Sequence, residues 1–134
     1  MKNIKLAKMQ HQKIAIFGRV FNTSITPFIE TLFNYLESKK IEVVIYGEFY
    51  DFLLNTSKCP LNLQTFEAHH DLPKDIDFLL SLGGDGTMLA AVSVIRDSGI
   101  PIAGINLGRL GFLANIPKEN IESALGKILE NQYT

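Results

Sequence analysis

The run Gly83-Gly84-Asp85-Gly86-Thr87 is the part of this sequence best suited to chemistry. Glycines carry no Cβ, so their backbone can take φ > 0 and come close to a ligand. A helix starting behind such a run offers unpaired N–H groups and the positive end of its dipole, a natural seat for phosphate. Asp85 then needs a reason to be there, because a bound phosphate repels a carboxylate. It can accept a proton from an attacking hydroxyl, or hold a hydroxyl or a magnesium-bound water. It can equally cap the helix, as Thr87 can, with the glycines making a tight turn. These five residues alone leave both readings open.

A second glycine-punctuated run, Asn106-Leu107-Gly108-Arg109-Leu110-Gly111-Phe112-Leu113, follows about twenty residues on. Its apolar members suit the wall of a base-binding pocket, with Phe112 stacking on an adenine or nicotinamide ring. They also suit a seal between the core and a neighbouring segment. Arg109 can reach a phosphate or make a surface or subunit contact. Neither run matches the common phosphate signatures. G-x-x-x-x-G-K-[ST] does not occur, and G-x-G-x-x-G fails because Leu89 stands where the third glycine belongs. Other chemistry-bearing residues read more plainly. His69-His70 are adjacent, point apart in most backbones and have no Cys or third His nearby, so no metal site is expected. Asp71, Asp75 and Asp77 read as a solvated connection, and Cys59 as a small, partly buried residue.

The elements that must position these runs alternate between two periods. Lys13–Arg19 (KIAIFGR) and Ile41–Tyr46 (IEVVIY) read as buried strands, each followed or closed by glycine. Between them Phe28, Ile29, Leu32, Phe33 and Leu36 recur at three and four, with Thr26-Pro27 at the start and Lys39-Lys40 at the negative end of a helix. A short helix is expected over 48–55, a short strand over 65–68 and a polar connection over 69–75. Asp77–Leu82 is then a strand running directly into the first glycine run, with a helix over 88–96 and a strand over 100–105. Pro117 opens a last helix with Ile121, Leu125, Ile128 and Leu129 on one face. Strands alternating with helices, and strands as continuously apolar as FLLSL and PIAGI, define an α/β class: a doubly wound, mostly parallel sheet with helices on both faces. Such sheets bind ligands outside the carboxyl ends of their strands, where both glycine runs fall.

Composition narrows the function classes. With 134 residues the chain has the size of one domain, expected to be a single nucleotide-binding unit over 1–134 with a flexible basic tail over 1–12. Thirteen Lys+Arg against fourteen Asp+Glu leave a net charge of -1, no footprint for gripping nucleic-acid phosphates. A hydrophobic content of 46% is too high for a disordered chain. The single cysteine excludes an internal disulfide and any zinc site built from several thiolates. No apolar run reaches the ~18 residues of a membrane span, and the basic first residues lack the apolar stretch of a signal peptide. A soluble, cytoplasmic protein without membrane or nucleic-acid partners is expected.

Taken together, LSLGGDGTMLAA (Leu80–Ala91) and NLGRLGFLANI (Asn106–Ile116) resemble the NAD kinase family, and IAIFGR sits where that family begins. GGDGT alone is shared with diacylglycerol and sphingosine kinases and, more loosely, with phosphofructokinases. The second run separates them, since lipid kinases resemble P-x-G-T-x-N-D there. The resemblance implies an NAD kinase/phosphofructokinase-like N-terminal fold and transfer of the ATP γ-phosphoryl group, with Mg2+, to the 2′-hydroxyl of the adenosine ribose of NAD. It implies Asp85 as general base, Gly84, Gly86 and Thr87 along the nucleotide phosphates, and Gly111 and Phe112 against the NAD adenine side, with Asn106 and Arg109 as further contacts. It also implies a homo-oligomer in the full-length protein and a second, mostly β domain that follows the helix ending near Glu130 and supplies an Asn-Glu pair. That domain is missing from these 134 residues, so the chain by itself is expected to fold but not to catalyse. The competing readings are a non-catalytic nucleotide-binding or dimerising module and, third, a lipid kinase domain.

Overall fold

Short apolar runs rich in Ile, Val, Leu and Phe cannot satisfy their backbone groups alone and still bury both faces; pairing side by side in parallel does both. In the computed structural model of the chain, residues 12–19, 26–56, 59–95 and 98–106 are described, with Glu122, Ser123 and Gly126 further on; at His69, Asp85 and Asn106 the backbone alone is described. The elements are β1 (Lys13–Gly18), α1 (Thr26–Ser38), β2 (Glu42–Tyr46), α2 (Gly47–Thr56), β3 (Gln64–Phe66), a 3-10 turn (His69–Asp71), β4 (Phe78–Gly83), α3 (Asp85–Ile95) and β5 (Ile102–Asn106). All strand pairs are parallel, and the five-stranded sheet runs in the order β3-β2-β1-β4-β5.

Alternation along the strands divides the core between the two faces. Ile14, Ile16, Ile45, Phe78, Leu80 and Leu82 pack with Phe28, Ile29, Leu32, Phe33 and Leu36 of α1 and with Phe49, Tyr50 and Leu53 of α2. Ala15, Phe17, Val44 and Leu79 face the other way, against Ala91 and Ile95 of α3 and Phe66, Leu72 and Ile76 around the β3–β4 connection. Helices thus cover both faces, as a doubly wound sheet requires. No helix among the described residues is long and apolar enough to cross a membrane.

The amino edge of the sheet is held by polar contacts. The Lys13 N–H donates to Asp77 Oδ2 at 2.9 Å and the Asp77 N–H returns a bond to the Lys13 carbonyl at 2.8 Å. Lys13 Nζ lies 3.7 Å from Glu42 and 3.6 Å from Asp75. At the opposite, carboxyl edge Asp71 Oδ2 accepts from the N–H groups of Glu67 and Ala68, just past β3. Two of the three aspartates expected to be solvated therefore fasten backbone. Gln12, placed by the sequence in a loose tail, is buried and its carbonyl accepts from the Glu42 N–H at 2.9 Å, so it extends the β1–β2 ladder. Helix α1 ends with Lys40 in the left-handed region at φ 56. The Ile41 N–H reaches the Leu36 carbonyl and the Lys40 N–H that of Glu37, each at 3.0 Å, closing the last turn as a Schellman motif.

Candidate functional site

The chain leaves β1 toward β2 and β3, then returns to lay β4 on the opposite side of β1. The order reverses between β1 and β4, and the crevice outside their carboxyl ends is where open parallel sheets take their ligands. Gly18 of β1 is paired with Leu82 of β4, and Gly83 of β4 with Asn106 of β5. The ends of three strands thus stand level, and the glycine run emerges from the middle one.

Within that run the structure separates roles that the sequence leaves merged. Gly83 is the last residue of β4 and has φ 155, a conformation reserved for glycine. A Cβ there would lie 2.7 Å from Thr87 Cβ, so its absence lets the buried Thr87 fold back against the strand end. Only Gly84 separates strand from helix. Its carbonyl accepts the Met88 N–H at 3.0 Å, which makes Gly84 the N-cap and places Asp85, Gly86 and Thr87 in the first turn of α3. The helix therefore begins three residues earlier than the sequence suggests, and neither Asp85 nor Thr87 occupies the cap. Nor do Gly84 and Gly86 have positive φ, as a tight glycine turn would need. A Cβ on either meets nothing within 4 Å. No packing within the described residues requires those two glycines.

Helix α3 is set at this angle by a second close approach. Met88 lies over Gly104 of β5, where a Cβ would collide with the Met88 methyl. The first-turn N–H groups of Asp85, Gly86 and Thr87 have no partner within the helix by geometry, and they open at the switch point. An acidic residue in the first turn also suits the helix dipole. Asn106 ends β5 directly beside Gly83. Arg109, Gly111 and Phe112 of the second glycine run lie outside the described residues, as do Leu107, Leu110 and Leu113.

Two features of this edge are absent from the sequence reading. Arg19 follows β1 immediately and is exposed. Phe17, Tyr46 and Phe66 form an aromatic row across the ends of β1, β2 and β3, with ring centroids 4.7 and 5.8 Å apart. The signal for Arg19 was a cation one residue past the first strand. Its significance depends on strand order, which is not local information.

A separate cavity lies at the opposite edge of the sheet. About 650 Å³ opens at the amino edge between α1, the start of β2 and the 59–64 connection, lined among others by Phe33, Glu37, Glu42, Cys59 and Leu63. Cys59 is half-buried, and burial pushes its thiol above the ordinary range. The His70 ring stands 3.5 Å from Asp71 and is exposed. Among the described residues no three His, Cys, Asp or Glu side chains gather as a metal site.

The described chain is a doubly wound α/β domain whose switch point carries a helix-opening GGDGT turn, and comparison with known proteins gives the family. The profile of the ATP-NAD kinase N-terminal domain matches residues 14–133, and the chain belongs to that family. It is 47% identical over 122 residues to an NAD kinase of Flavobacterium psychrophilum, covering 91% of this chain and 42% of that one. An NAD kinase of Bacteroides fragilis is 38% identical over 122 residues, with 91% and 41% covered. The crystal structure of yeast NADH kinase complexed with NADH shares the fold at a TM-score of 0.66 and 22% identity, over 90% of this chain and 38% of that chain. The chain thus spans less than half the length of these relatives.

Proposed function

We propose that this chain supplies the phosphate-seating part of an ATP-dependent NAD kinase, which phosphorylates the 2′-hydroxyl of the adenosine ribose of NAD to give NADP. One observation carries the reading: at the sheet's switch point Gly84 and Gly86 border open space that nothing else in the described residues explains. Family membership and the two glycine runs support it. In the reaction Asp85 takes the proton of the 2′-hydroxyl, that oxygen bonds to the γ-phosphorus, and the bond from phosphorus to the bridging oxygen breaks, releasing ADP. A carboxylate is a weak base, so positioning and charge neutralisation supply most of the barrier reduction.

The turn aligns the nucleotide through its N–H groups while Gly84 and Gly86 keep Cβ atoms out of the way. Thr87 locks the helix start to β4, and Gly111, Phe112, Asn106 and Arg109 would face the NAD side. Mg2+ fits as an ion carried in on the nucleotide, since the described residues form no protein cage for it. Asp85, the acid of the turn, would hold one of its waters, and the ion would neutralise phosphate charge. Cytoplasmic placement and a homo-oligomeric whole protein belong to the same proposal.

Because the relatives extend well beyond the matched region, residues 1–134 should bind nucleotide weakly and form no NADP. Orientation by groups outside the chain can account for about 7–11 kcal/mol of a barrier. The test is to assay NADP formation from ATP, Mg2+ and NAD by this chain alone and by the chain joined to the remaining length of the Flavobacterium psychrophilum relative. Activity in the joined protein alone is expected. A joined protein that folds, binds nucleotide and never forms NADP would replace the kinase reading with that of a binding module.

A further inference from the structure

We infer that Arg19 is a phosphate-binding residue of the nucleotide site, an inference that rests on the function proposed above. Register places it there: Gly18 pairs with Leu82, so the residue that follows β1 comes level with Gly83, one strand spacing of about 4.8 Å away. Alternation places it on the right face. Ala15 and Phe17 point toward the layer of α3, and Arg19 continues that parity, toward the helix whose first turn opens the crevice. The guanidinium is exposed and makes no ion pair among the described residues.

Charge sharpens the point. The other described cations are Lys13, Lys39, Lys40 and Lys74. Lys13 is tied to Glu42 and Asp75 at the amino edge, Lys39 and Lys40 lead into β2, and Lys74 leads into β4. All four therefore sit at the edge remote from the glycine turn. At the carboxyl edge the charged neighbours are Asp85 in the turn, Glu48 and Glu67 beside the ends of β2 and β3, and Asp71, which accepts from the Glu67 N–H. A polyphosphate arriving there meets acids, and among the described residues Arg19 is the one cation on that edge to receive it. Its planar fork suits two phosphate oxygens at once. The ligand chemistry is a polyphosphate ester, and either ATP or NAD can present it.

Dissociation constants of ATP, inorganic tripolyphosphate and NAD, measured on the full 134-residue chain and its Arg19→Gln, Arg19→Lys and Gly84→Val variants, test this. Arg19→Gln should weaken binding about 10- to 100-fold and flatten its salt dependence, with the thermal midpoint unchanged because the residue is exposed. Arg19→Lys should fall between, keeping the charge but not the fork. Loss for tripolyphosphate and ATP puts Arg19 on the donor; loss for NAD alone puts it on the acceptor, and either supports the assignment. Unchanged affinity for all three in Arg19→Gln overturns it. If Gly84→Val has then lost binding, the glycine turn survives as the site without Arg19. If neither variant changes affinity, the carboxyl edge is not the nucleotide site and the functional reading falls as well.

Discussion

Three glycines share one turn, but among the described residues packing requires only Gly83, and substitution separates their roles. Gly83→Ala places a methyl into Thr87 from a φ of 155, so it should destabilise the fold by about 1–3 kcal/mol or more. Gly86→Ala meets open space inside a helical first turn. It should leave stability equal or higher by about 0.5–1 kcal/mol, while nucleotide affinity drops. Thermal melts and nucleotide titrations of the two variants check this, and lost stability in Gly86→Ala would mean that this glycine serves the fold. Asp85→Asn should leave the turn's shape and remove its proton acceptor. In the joined protein it should lower kcat on the order of 10²–10⁴ with smaller changes in KM. Turnover near normal would reduce Asp85 to a first-turn acid favoured by the helix dipole. The sequence singled out these residues by type but could not divide them. Whether a glycine is needed for φ, for packing or for a ligand depends on what stands beside it in space.

At the scale of elements, periodicity located the described α-helices and strands between Lys13 and Asn106 to within about three residues. The largest boundary error falls at the site itself. Gly-Asp-Gly is a poor helix interior and reads as loop, yet in the first turn the N–H groups are unpaired anyway and an acid is favoured, so the helix starts there at little cost. The same logic of ends governs α1. Lys39-Lys40 marked its close, but the backbone puts Lys40 in the left-handed region that favours glycine. Lys40→Gly should therefore raise stability by about 1 kcal/mol, read from denaturant midpoints at unchanged slope. A loss instead would show that the Lys40 side chain contributes more than its backbone strain costs.

At the scale of the molecule, a sheet order of β3-β2-β1-β4-β5 turns residues more than sixty positions apart, Arg19 and Gly83, into neighbours. Class and parallel pairing were legible from alternation and apolar strands. Order and register were not, because they follow from packing both faces at once, and the place of Arg19 went unread with them. Among the described residues two regions compete for the nucleotide, the glycine turn at the carboxyl edge and the cavity at the amino edge, and the proposed function needs the first. Amide chemical-shift mapping of the 15N-labelled chain during titration with ATP decides between them. The largest shifts should fall on Gly84, Asp85, Gly86 and Thr87, with Cys59, Asn62 and Leu63 nearly still; shifts centred on Cys59 to Leu63, with the glycine turn unmoved, would contradict the account.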